Sequence, residues 1–142
     1  MASFAPTSTP GPASASLWTG RVLSGLAAVF LLVDAGTKLA LPGLVAAQSP
    51  EIGWSLDPGT MRMLGTLLLV PTLLYIWPRT SVLGAVLITG YLGGAIATHL
   101  RIDSALLTHT LFGVYLGLMV WGGLWLRHPA LRSVFPFDTR KD

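Results

Sequence analysis

The stretch Gly90–Arg101, GYLGGAIATHLR, decides the fold. It is apolar and glycine-rich until it ends abruptly in His99 and Arg101. Small residues let helix backbones approach closely in a bilayer, where apolar surface alone gives helices no reason to associate. A histidine and an arginine at one end are costly there unless they meet partners. The segment reads as a packing helix that carries polar groups to one membrane face.

Composition supports the same reading. Of 142 residues, 52% are hydrophobic and 11% charged, with a mean hydropathy of +0.66. Soluble domains carry about 25% charged residues, so this surface is not built for water. The net charge of +3 is dispersed along an apolar chain. That pattern makes no nucleic-acid patch, and the basic residues serve instead as orientation signals. The chain has no cysteine, which excludes disulfides, thiolate metal sites and dithiol redox chemistry on it.

The expected fold is all-α, a polytopic four-helix membrane bundle. Residues 1–17, rich in Ala, Ser, Thr and Pro, read as a disordered leader without the basic n-region of a secretory signal. The transmembrane domain spans 18–127, with helices over about 20–41, 61–77, 81–100 and 105–126, each near the length a bilayer requires. Pro71 predicts a kink in the second helix. Pro42–Gly59 is a polar loop with Glu51, Trp54 and Asp57, and Pro78-Arg79 a tight turn. Residues 128–142 form a basic tail, to which Arg127 also contributes. Arg21, Arg79, Arg127, Arg132, Arg140 and Lys141 fall on one side, against Lys38, Arg62 and Arg101 on the other. This asymmetry predicts both termini in the cytoplasm, with Trp18, Trp77 and Trp125 as an interfacial belt.

That topology gathers Asp34, Lys38, Arg62, His99, Arg101 and His109 at the outer end and leaves the cytoplasmic half apolar. Asp34 and Lys38, four apart, share a helix face and can pair. The pair reads either as a functional site or as a structural ion pair with Lys38 snorkelling outward. His109 continues through Gly113 and Gly117 at four-residue steps, above a small-residue strip suited to packing. Gly90, Gly94, Ala97 and Arg101 form the corresponding strip of the third helix. His99 lies about 180° from Gly90 and points elsewhere. Arg101 and His109 are therefore the expected interior groups. No spacing calls for metal or haem, so no metal site is expected. Tyr91 and Tyr115, at mid-membrane depth, either line a cavity for a quinone-like head group or hydrogen-bond to nearby backbone. The glycine strips suit packing within one copy or in a homo-oligomer.

GYLGGAIATHLR also resembles the signature segment of the DoxX-like family of small bacterial membrane proteins. Supporting matches are DAGTKL at Asp34–Leu39, Arg62 with Leu64-Gly65, Tyr75–Arg79 followed by Leu83-Gly84-Ala85, and YLGLMVWGGLWLR at Tyr115–Arg127. The resemblance covers nearly everything from Trp18 to Pro136. Ala35 stands where the family commonly has glycine, and Gly113 where proline is common. The resemblance implies a four-helix membrane protein and, by association, a subunit or accessory of a quinone-linked redox system with a redox partner protein. It carries over no catalytic residue, and no reaction by this chain alone is expected. A small transporter or channel component with its polar site at the outer leaflet is a second reading, and a structural or assembly protein a third.

Overall fold

The computed structural model describes residues 12–49 and 57–133. They form α1 (Pro12–Ala40), α2 (Pro42–Gln48), α3 (Pro58–Ile76), α4 (Ser81–Arg101), a π-helical turn (Leu106–Thr110), α5 (Phe112–Arg127) and α6 (Pro129–Arg132). Four helical stretches are long and apolar enough to cross a membrane: Ala15–Ala40, Pro58–Ile76, Ser81–Arg101 and Leu106–Arg127. The protein is an all-helical bundle of membrane-spanning length, with no strand among the described residues.

Local chemistry moves several boundaries. Residues 12–17, expected in the leader, are helical. Pro12 costs nothing at a first helical position, where an N–H has no partner, and the alanines that follow favour helix. The rest of that leader, residues 1–11, lies outside the described residues, as do Glu51 and Trp54 of the expected loop and Arg140 and Lys141 of the tail. The loop itself contains α2, opened by Pro42. Asp57 caps α3, accepting hydrogen bonds from the amides of Gly59 (2.7 Å) and Thr60 (3.1 Å). α3 runs as one helix through Pro71, which is buried. α4 stops where Asp103 takes a left-handed φ of 51°, a conformation that aspartate tolerates better than most residues.

α1, α3, α4 and α5 form a closed ring in which each packs on its two neighbours. The chain starts α1, turns from α3 to α4 and finishes α5 at one end, here the terminal end. The α1–α3 and α4–α5 connections make the opposite, loop end. Four places set the helix spacing. A Cβ on Gly20 would fall 2.9 Å from the Gly123 carbonyl oxygen, and one on Gly65 would fall 3.0 Å from that of Ala35. On Gly84 it would meet the Tyr75 Cα at 2.5 Å, and on Gly113 the Ile96 Cγ1 at 2.9 Å. Outward faces remain apolar, with Val22, Val29, Leu67, Leu83 and Leu118 exposed, as a lipid-facing surface requires.

The Gly84 contact yields a stability test. A methyl group there has only the α3 backbone to displace, so Gly84→Ala should destabilise the bundle by about 3 kcal/mol or more. Gly93→Ala, inside α4 at a position with nothing within 4 Å of an added Cβ, should cost nothing and raise stability by up to about 1 kcal/mol. Thermal unfolding in detergent measures both.

Candidate functional site

At the loop end the four helices part around a cavity of about 460 Å3. Its inner wall is apolar, with Leu31 from α1, Leu68 from α3, Leu92 from α4 and Leu116 from α5. Its polar groups are Asp34 and Lys38 on α1, Tyr91, Thr98 and His99 on α4, and His109 on the π-helical turn, with Ser49 beyond α2. Asp34 and Lys38 form an ion pair one helical turn apart, the carboxylate 34% exposed and the ammonium 16%. Phe30 and Phe112, with ring centroids 5.1 Å apart, close the cavity on the side where α1 meets α5.

The two histidines meet there, with ring centroids 6.0 Å apart. Each ring is held by a hydroxyl at Nδ1: His99 by Ser104 at 3.1 Å and His109 by Thr108 at 2.8 Å. A hydroxyl on one ring nitrogen orients the imidazole and leaves Nε2 as its outward-facing atom. The expectation that His99 points away from the interior is overturned. The buried face of α4 carries Ala85, Ile88 and Leu92, and His99, seven residues beyond Leu92, extends that stripe. Gly90 and Gly94 are exposed and make no packing contact; they border the cavity instead. Arg101, on their side of the helix, is exposed and does not line the cavity. Arg62 is likewise exposed outside it, and so is Tyr115.

His109 reaches the cavity by a route that helical spacing does not foresee. The amides of Thr110 and Leu111 donate to carbonyls five residues back, Ala105 at 3.3 Å and Leu106 at 2.8 Å. This π-helical turn adds a residue and breaks the four-residue register between His109 and Gly113. Gly113 is buried against α4 while His109 is exposed at the cavity rim.

The terminal half also holds polar groups in its core, contrary to the apolar half expected from sequence. The hydroxyl of Tyr75, a fully buried residue, donates to the Val120 carbonyl (2.9 Å) and is hydrogen-bonded to the Ser24 hydroxyl (2.8 Å). The Arg127 guanidinium lies over the Tyr75 ring, 5.1 Å from its centroid, an attraction between the cation and the ring face. Arg127 therefore belongs to the bundle rather than to the tail. The signal was present in sequence: Arg127 lies seven residues after Val120, on the stripe that α5 buries. Arg132 folds back to donate to the carbonyls of Trp125 (3.0 Å) and Leu126 (2.5 Å), satisfying acceptors left open at a helix C-terminus.

Comparison with known families gives a match to the DoxX-like family over residues 22–123, more than half of the chain. The chain belongs to the DoxX-like family. That match takes in α3, α4, the π-helical turn and every residue of the cavity. No curated protein and no solved structure matches the chain. Among the described residues of this DoxX-like protein, no three histidine or carboxylate side chains gather as a metal site.

Two measurements probe the terminal end. Tyr75→Phe removes the bonds to Ser24 and Val120 and should cost about 0.5–2 kcal/mol, within the range for interhelical hydrogen bonds in membranes. Thermal unfolding reads that loss. His128, just beyond α5, has its imidazole pushed below its ordinary value of 6.5 by burial and then by the Arg127 charge. The unfolded chain binds that proton more readily than the native protein does. His128 therefore imposes no penalty above the ordinary value and an increasing one as pH falls below it. The melting temperature should fall as pH drops below the ordinary histidine value of 6.5, and His128→Gln should flatten that slope.

Proposed function

We propose that this DoxX-like protein is a membrane subunit or accessory of a quinone-linked redox system, and that its loop-end cavity receives the quinone head group. One observation carries the reading: two imidazoles 6.0 Å apart and an Asp34–Lys38 pair border a cavity whose inner wall is leucine. Such a site suits a ligand with hydrogen-bonding oxygens at one end and an apolar body. His99 and His109 bind the oxygens through Nε2, Lys38 lends positive charge, and the leucines exclude water from the ring. Without cysteine, the chain performs no thiol chemistry, so electrons reach or leave the ligand through a partner protein. The excess of Lys and Arg at the terminal end supports a cytoplasmic position for both termini in a bacterial plasma membrane. The cavity then opens towards the outer face.

Quinone extracted from the purified protein tests the reading. Wild-type protein should carry it near stoichiometrically. His99→Ala, His109→Ala and Asp34→Asn should each lower the content by about tenfold, the effect of about 1.4 kcal/mol. Wild-type protein that holds no quinone and conducts ions in proteoliposomes would assign the cavity to transport instead. Variants that lose quinone only because they unfold would make the cluster structural.

A further inference from the structure

Hydroxyl groups on α3 and α4 are satisfied within the bundle, with one exception. Thr66, Thr72, Thr89 and Thr98 each donate to the carbonyl four residues back, at 2.7 to 2.9 Å. Tyr75 bonds Ser24 and the Val120 carbonyl. A hydroxyl needs such a partner where lipid excludes water. Tyr91 on α4 differs. It is half-buried and packs against the bundle core, yet its hydroxyl has no hydrogen-bond partner among the described residues. Tyr91 borders the loop-end cavity, and the charge of Asp34 acts on its phenol. Asp34 belongs to α1, which is not a neighbour of α4 in the ring, so that charge acts through the interior. Phenylalanine would supply the same packing without an unsatisfied polar group. The hydroxyl therefore serves what the cavity receives rather than the bundle.

We infer that Tyr91 is a specificity-determining residue of the cavity, whose phenol O–H donates a hydrogen bond to a second oxygen on the bound ring. Tyr91 adjoins Leu92 of the inner wall, whereas the histidine pair lies nearer the loop end. Eight residues separate Tyr91 from His99, a rise of about 12 Å along α4. Two hydrogen bonds of about 2.9 Å each, with a six-membered ring between the oxygens, cover most of that rise. Oxygens on a single edge of the ring reach only one of the two levels. The ligand class therefore narrows to a ring with oxygens on opposite edges, a 1,4-quinone rather than a 1,2-quinone. One oxygen meets the imidazoles and the other meets Tyr91.

This inference rests on the reading of the cavity as a quinone site, and its test separates the two. The affinities of 1,4-naphthoquinone and its isomer 1,2-naphthoquinone are measured for the purified wild-type protein, Tyr91→Phe and Tyr115→Phe. Wild type should bind the 1,4 isomer about tenfold more tightly than the 1,2 isomer. Tyr91→Phe should erase that preference by weakening the 1,4 isomer alone, and Tyr115→Phe, outside the cavity, should keep it. A preference that survives Tyr91→Phe would overturn the inference and leave the quinone reading standing. A wild-type protein that binds neither isomer would overturn both. The second measurement needs no ligand. After detergent exchange has stripped bound quinone and lipid, Tyr91→Phe should melt at or above the wild-type temperature, whereas Tyr75→Phe melts below it. A fall in Tyr91→Phe as large as that in Tyr75→Phe would make the hydroxyl a part of the bundle's packing and overturn the inference.

Discussion

Where α1 and α5 cross at Gly20 and Gly123, backbone lies against backbone and no side chain can intervene. The rest of the bundle depends on that approach. Lipid tails are as apolar as leucine, so the helices gain little by hiding apolar surface from one another. They associate where their shapes allow closest contact, at Gly20–Gly123, at Gly65 against α1 and at Gly84 against Tyr75. The tightest of these contacts lie towards the terminal end, and Gly65 holds α3 to α1 nearer the loop end. At the loop end α4 and α5 touch through Gly113 and Ile96, and the cavity occupies the space that the separating helices leave.

Polar groups follow this division. In the packed half, the Tyr75 hydroxyl bonds Ser24 and the Val120 carbonyl and the Arg127 guanidinium lies over its ring, so hydrogen bonds and a ring contact bind α3, α1 and α5 together. In the open half, the Asp34–Lys38 pair and the two histidines border space rather than one another's helices. The same residue types thus serve cohesion at one end and exposure to a ligand at the other. The local separation of the backbones decides which.

The fold was legible in sequence because bilayer thickness sets helix length, and four apolar runs of that length are hard to misread. The cluster was legible in part. Asp34 and Lys38 follow from one-turn spacing, and His109 from its place at the start of the last span. His99 and Arg101 exchanged roles for a physical reason. Small residues suggest the interior of α4, yet its buried stripe is Ala85, Ile88 and Leu92. In a membrane both faces of a helix are apolar, so hydropathy does not separate them, and glycine marks either a contact or a gap. Tyr75 and Arg127 went unrecognised because Arg127 stands at the end of an apolar run, where a charge reads as a tail. The π-helical turn leaves no mark in a pattern that assumes regular spacing.

The π-helical turn also separates two kinds of inheritance. An extra residue at Leu106–Thr110 takes up rotation, so the seating of α5 on α1 and α4 does not dictate where His109 points. Substitutions or length changes above Gly113 can redirect that imidazole without disturbing a helix contact below it. The protein is built as a close-packed stem with an independently adjustable crown. Selection for a different ligand can act on the crown while the stem keeps the chain in the membrane.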